Sequence, residues 1–124
     1  MAVAIFCIGI ISMHVSELLF HLTRRRGLYL LNDKYVTAVA FVEGFDQALD
    51  RRPLEGFHEW VCQRVLGRHT GMSWPYVVAS VEVPEVLSGG CDLNALDSET
   101  QRRMIDRMLV LIEEFTGAVE VKVR

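Results

Sequence analysis

A chain of 124 residues, 51% hydrophobic and 23% charged, has room for one domain with its own core and is neither disordered nor membrane-like in composition. Its formal charge of −3 gives no support to general binding of nucleic acid or an anionic membrane surface. Cys7, Cys62 and Cys91 are odd in number, far apart and form no CxxC, which argues against a disulfide framework or structural zinc and for reduced thiols in a cytoplasm.

The first twelve residues, MAVAIFCIGIIS, carry no charge, yet a membrane-spanning helix needs about twenty apolar residues. A secretory signal would want a basic start and a small-residue cleavage site, and neither is clear. Two readings stand: a buried strand over 3–11, or an extension ahead of a natural start at Met13. The globular domain is then 13–124. From Met13 the pattern turns helical, with Val15, Leu18, Leu19 and Leu22 at i, i+3, i+4 and i+7. Arg24, Arg25 and Arg26 supply a cationic last turn and Gly27 a C-cap. Residues 28–31 (LYLL) read as a short extended segment, and Asn32 and Asp33 as a turn or N-cap.

The stretch 35–66 is what the rest is arranged around. Ala38, Phe41, Val42, Phe45, Ala48 and Leu49 form one apolar stripe at helical spacing, with Gly44 expected to mark a close helix–helix approach. Pro53 cannot continue that helix, and Phe57, Trp60, Val61 and Val65 begin another. Ser73 and Pro75 open a short helix through Tyr76, Val77, Val78 and Val81, although its β-branched residues also suit a strand. A long connection follows, with Gly89 and Gly90 its most flexible point. The last helix is capped by Asp97 or Ser98, with Ser98 and Gln101 spaced as a capping box. Met104, Ile105, Met108, Leu109, Leu111, Ile112 and Phe115 are its buried face, Gly117 is its expected stop, and the tail AVEVKVR alternates as a half-exposed strand does.

Motifs that carry chemistry are sparse. There is no GxSxG, HExxH, P-loop or GxGxxG. His14 and His21 share a helix face but stand two turns apart, roughly 10 Å, too far for one ion. His58 and Cys62, an i, i+4 pair, could reach one metal, but Cys62 lies beside Val61 on the apolar side, where a cysteine packs as a small hydrophobe. More suggestive are Glu43, Asp46 and Asp50, at i, i+3 and i+7, followed by Glu55 and Glu59. They read as a negative face able to hold a basic partner surface, set against a merely solvated helix face. Trp74 reads either as an exposed anchor or as a plug closing the core.

The order SELLFHLTRRRGLYLL, VTAVAFVEGFDQAL, GFHEWVCQRV, a Ser-Trp loop and a terminal LVLIEEF helix resembles a group of small bacterial proteins, some of which look like immunity proteins of polymorphic toxin systems. The resemblance runs from Met13 to about Phe115 and favours Met13 as the start. It departs from the group's pattern at Arg26 and Gly27, where no proline stands, and at Leu31, where a glycine is usual. Its motifs are structural, so no binding residue is carried over.

The expectation is a mainly α single domain of four to five helices, with short extended segments near 28–31 and at both termini. The leading function is a cytoplasmic, non-enzymatic binding protein without metal or cofactor, which the resemblance narrows to an immunity protein occluding a cognate toxin. Glu43, Asp46, Asp50, Glu55, Glu59 and Trp74 are the candidate partner-binding residues. Reversing Glu43, Asp46 and Asp50 is expected to abolish binding and leave the fold intact. The alternatives are a nucleic-acid-binding regulator using Arg24, Arg25 and Arg26, and a metal or enzymatic domain on His58 and Cys62. No membrane partner is expected, nucleic acid is disfavoured, and the helix stripes would serve a homodimer as readily as a monomer core.

Overall fold

The last helix is the post on which the others lean. In the computed structural model, which describes residues 14–123 and their side chains through residue 117, this helix (α6) spans Ser98–Val123. Around it stand α1 (Val15–Arg24), a single turn α2 (Arg26–Tyr29), α3 (Tyr35–Ala48), α4 (Phe57–Val61), which continues as a π-helical turn over Cys62–Leu66, and α5 (Trp74–Ala79). Two 3₁₀ turns, Pro84–Ser88 and Leu93–Ala95, carry the chain from α5 to α6. Helices α1, α3, α4 and α5 all pack on α6. There is no strand among the described residues. The result is one mainly α domain, as the apolar spacing predicts.

The core follows from those stripes. Met104, Ile105, Met108 and Ile112 of α6 are fully buried, as are Leu22 of α1, Ala38 and Val42 of α3, and Val77 and Val78 of α5. Phe57 joins three helices: its ring lies 5.2 Å from Trp74 and 5.4 Å from Phe115, both edge-on, and 6.0 Å from Trp60. A second aromatic row runs from α1 to α3 through His21, Tyr29 and Phe41, with centroids 4.9 and 6.0 Å apart.

Gln101 contributes differently. It is only 1% exposed. Its Oε1 accepts from the Tyr35 backbone N–H at 2.8 Å, and its Nε2 donates to the carbonyls of Leu93 at 2.6 Å and Leu96 at 3.3 Å. The first N–H of α3, which has no partner within its own helix, is therefore satisfied from 66 residues away. Tyr35 is clamped at its other end too, its hydroxyl donating to the Pro75 carbonyl at 2.6 Å while burial pushes the phenol pKa up.

Several local expectations are corrected. Within 28–31 the chain is not extended: Arg26–Tyr29 closes a helical turn, with Leu30 N–H bonded to Arg26 O at 2.9 Å. Leu30 is thereby buried and Tyr29 half-buried, while Leu28 and Leu31 face solvent. Gly27 thus lies inside this turn, and Arg25 is the C-cap of α1. The C-terminal tail is not a strand, because α6 runs through Gly117 to Val123. Extending a formed helix adds one hydrogen bond per residue fixed, so an interior glycine weakens it without ending it. The N-terminal strand expectation lies outside the described residues.

Gly44 marks no close approach either. It is exposed, and a Cβ there would meet nothing within 4 Å. Gly44→Ala is accordingly expected to stabilise the fold by roughly 0.5–1 kcal/mol, the helix-propensity difference, as read by urea denaturation.

At the start of α6 the cap is Asp97, whose Oδ1 accepts from Thr100 N–H at 2.7 Å; the Ser98–Gln101 box is replaced, since Gln101 turns inward. Hydrogen bonds from the backbone and then the side chain of Thr100 hold the Asp97 carboxyl below the usual carboxylate range. A depressed folded pKa contributes stability above the unfolded pKa and loses it as the pH falls through the folded value. Asp97→Ala should therefore destabilise near neutral pH, with its difference from the parent shrinking as acid titrates the cap. Denaturation curves across that acid range check it.

Candidate functional site

Two of the six candidate partner-binding residues belong to the fold's interior. Asp46 is 6% exposed, and its Oδ1 accepts from the Leu54 backbone N–H at 2.9 Å. The buried positions of α3 are Tyr35, Ala38, Val42 and Asp46, so Asp46 lies on the buried face, four residues after Val42, instead of opposite it. Trp74 is 8% exposed and is the plug of the two readings, stacked edge-on against Phe57. Its Nε1 donates at 2.7 Å to Oε1 of half-buried Glu43, which ties down a third candidate. The expectation that reversing Glu43, Asp46 and Asp50 spares the fold is therefore corrected. A lysine at position 46 would set an ammonium donor against the Leu54 N–H, and one at 43 would do the same to the Trp74 indole N–H.

Asp50, Glu55 and Glu59 remain exposed. Asp50 and Glu55 sit on the reversal between α3 and α4, and its geometry is specific. Arg51 N–H bonds to Asp46 O at 2.8 Å and Asp50 N–H to Gln47 O at 3.2 Å, the paired bonds of a Schellman motif. That motif wants a left-handed residue after the cap, ordinarily glycine. Here Asp50 (φ 58°) and Arg51 (φ 61°) both adopt it. A left-handed residue other than glycine costs about 1–2 kcal/mol. Asp46, reaching across to Leu54, holds the loop in that shape. Gly56, itself left-handed at φ 82°, then starts α4.

Arg51 and Arg52 are exposed on the same reversal, so the surface is mixed in sign: three carboxylates (Asp50, Glu55, Glu59) against two guanidinium groups give −1. Beside it opens a cleft of about 830 Å³ between α1, the reversal and the 113–117 stretch of α6. Val15, Leu19, Phe20, Pro53 and Phe115 supply its apolar walls; Arg24, Arg52, Glu55 and Glu113 supply its charges. Phe20 is 48% exposed. Sequence reading passed over it because it flanks the Leu18, Leu19 and Leu22 stripe without belonging to it.

The other candidates lie apart. Arg26 donates through Nε to Leu22 O at 2.9 Å and pairs with Asp106, and Arg25 lies over the Phe20 ring, so the arginines do not form one exposed patch. Cys62 is 1% exposed, with its Sγ 3.8 Å from His58 Nε2, which in turn lies 3.3 Å from Thr70 O. His69 stacks edge-on against His58. Among the described residues no three His, Cys, Asp or Glu side chains converge as a metal site requires. No described helix is long and apolar enough to cross a membrane.

The fold is thus a small helical domain with a strained, charged reversal beside a half-apolar cleft. No protein-family model, curated protein or solved structure matches this chain.

Proposed function

We propose that this is a non-enzymatic protein-binding module that docks through the 50–59 surface. The observation that carries the proposal is the consecutive left-handed pair Asp50 and Arg51. Two glycines would close the same turn at lower conformational cost, yet the chain keeps two exposed charged side chains there, and neither makes a side-chain hydrogen bond or ion pair among the described residues. Residues held in such sparsely populated backbone conformations cluster at binding and functional sites. Glu55 and Glu59 extend the surface, and the buried Asp46 makes it rigid before contact, which lowers the ordering cost of binding. The particular reading, supported by the resemblance of the helix order, is an immunity protein whose carboxylates meet basic groups around the active cleft of a cognate toxin.

The test separates binding from folding. The tagged protein is drawn from its native cells, the stoichiometric protein partner is identified, and that partner is expressed alone for calorimetry. A variant carrying Asp50→Gly and Arg51→Gly should melt at or above the parent temperature and bind the partner at least tenfold more weakly. Adding Glu55→Lys and Glu59→Lys should remove binding with helicity unchanged. A toxin partner should also arrest growth by itself and be silenced by the parent chain but not by the quadruple variant. Undiminished affinity in a folded variant, or no stoichiometric protein partner, overturns the proposal.

A further inference from the structure

The turn α2 and the residues after it carry two leucines that the core does not use. Leu28 is 76% exposed and Leu31 100%, whereas the next most exposed large apolar side chain among the described residues, Val110, is 52% exposed. Isolated exposed leucines are ordinary on a protein surface, but two of them three residues apart on one tip are not isolated. Nor are they exposed through slackness, because the residues beside them are tied down. Leu30 is buried, Tyr29 is stacked between His21 and Phe41, and Arg26 donates to Leu22 O and pairs with Asp106. Beyond them, Asn32 Oδ1 accepts from the Lys34 N–H at 2.9 Å, which fixes the step into α3. Turning either leucine inward would withdraw Leu30 or Tyr29 from the core, so both are presented before any contact is made.

Charge points to the partner. Residues 24–34 hold Arg24, Arg25, Arg26 and Lys34 against the single carboxylate of Asp33, a net of +3 in a chain whose net charge is −3. Arg24 and Arg25 are exposed and form no ion pair among the described residues, and Arg25 is steadied over the Phe20 ring. The net charge argues against a general affinity for anionic surfaces, but a positive tip on an otherwise negative chain is both attracted and oriented by one. We infer that this tip docks the protein reversibly on an anionic phospholipid surface. Lipid answers both halves of the chemistry: the leucines enter the boundary between headgroups and acyl chains, which needs no preformed pocket, and the guanidinium groups meet the phosphates. A nucleic acid would meet the cations and leave the leucines in water. Two leucines bind only weakly by themselves, as a single acyl chain does, and the cations are the second signal that makes the docking useful. No described helix is long and apolar enough to cross a bilayer, and the inferred contact is peripheral. It uses none of the residues of the 50–59 surface, so either reading can fail without the other.

Cosedimentation of the full chain with vesicles is the test. The protein should bind phosphatidylcholine–phosphatidylglycerol vesicles, be released as the ionic strength rises, and leave pure phosphatidylcholine vesicles largely bare. Leu28→Ser with Leu31→Ser should weaken binding by at least about tenfold. Arg24→Gln with Arg25→Gln should weaken it by about fivefold for each charge removed. All four side chains are exposed, so these variants should melt at the parent temperature. Leu28→Met with Leu31→Met keeps the apolar surface and should keep the binding. Equal binding to both kinds of vesicle, binding that survives the serine pair, or no binding to either kind overturns the inference. So does leucine-dependent capture of an acidic protein by a chain that ignores both vesicles, which would assign the tip to a protein partner.

Discussion

Phe57→Ala is expected to destabilise the fold by about 3–5 kcal/mol, the range for emptying a large aromatic site in a close-packed core. Phe57 is wholly buried and sits where α4, α5 and α6 meet, with the rings of Trp60, Trp74 and Phe115 all within 6.0 Å. Collapse of the site would draw Trp74 away from Glu43, to which its indole N–H is bonded, so the cavity is hard to close without breaking a half-buried hydrogen bond. Edge-on contacts with Trp74 and Phe115 are lost as well, each worth about 0.5–1.5 kcal/mol beyond area burial. A domain of this size has of order 5–15 kcal/mol in total, so the variant should lose a large part of its stability. Urea unfolding followed by tryptophan fluorescence measures this directly, and the native emission should shift to the red as Trp74 gains water. A loss under about 2 kcal/mol would mean that the three remaining aromatic rings repack into the site, and that Phe57 is not the junction the geometry describes.

The helical frame was legible because burial and spacing agree along most of the chain. Leu18, Leu19 and Leu22 of α1 and seven of the eight apolar positions from Met104 to Phe115 of α6, all but Val110, are buried where their periodicity places them. Ser73 and Asp97 mark helix starts through local backbone chemistry, which needs no knowledge of tertiary contacts, whereas the expected break at Pro53 falls later than the end of α3, which closes at Ala48. What escaped were polar side chains that serve the interior. Asp46 and Glu43 read as an acidic surface because a carboxylate in a helix is usually solvated, and their partners, Leu54 N–H and Trp74 Nε1, stand 8 and 31 residues away. The signal was present all the same: Asp46 follows Val42 by four residues and so shares its face. Gln101 carried the same signal, standing three and four residues before Met104 and Ile105, but the local capping box offered it a plausible use at the helix end. The candidate surface was half legible. Asp50, Glu55 and Glu59 were named from charge alone, whereas the left-handed backbone beneath Asp50 and Arg51 has no signature in residue type, since glycine is what such a turn ordinarily shows.

That buried amide also sets up the sharpest pH test of the fold. Gln101→Met keeps the length of the side chain and removes both of its functions, leaving Tyr35 N–H and Leu93 C=O buried without partners. At about 1–3 kcal/mol for each of the two orphaned groups, a loss of roughly 2–6 kcal/mol is expected, with faster hydrogen exchange at the Tyr35 amide. Gln101→Glu is more discriminating. Its carboxyl can still accept from Tyr35 N–H, but the atom facing the Leu93 and Leu96 carbonyls becomes an acceptor against acceptors when ionised. Protonation restores an O–H donor to that position. Burial and the two carbonyls both favour the neutral form, so the folded pKa of the introduced acid stands above its unfolded value. Stability is then present below the unfolded pKa and lost as the pH rises through the folded one. Gln101→Glu should approach the parent in acid and fall away towards neutral pH, while Gln101→Met shows a deficit that varies little over the same range. Urea midpoints of the three proteins across that range decide the matter. A pH-independent deficit in Gln101→Glu would mean that the donor arm to Leu93 is not what this residue supplies, and that the α3 N-terminus is held by its Oε1 alone.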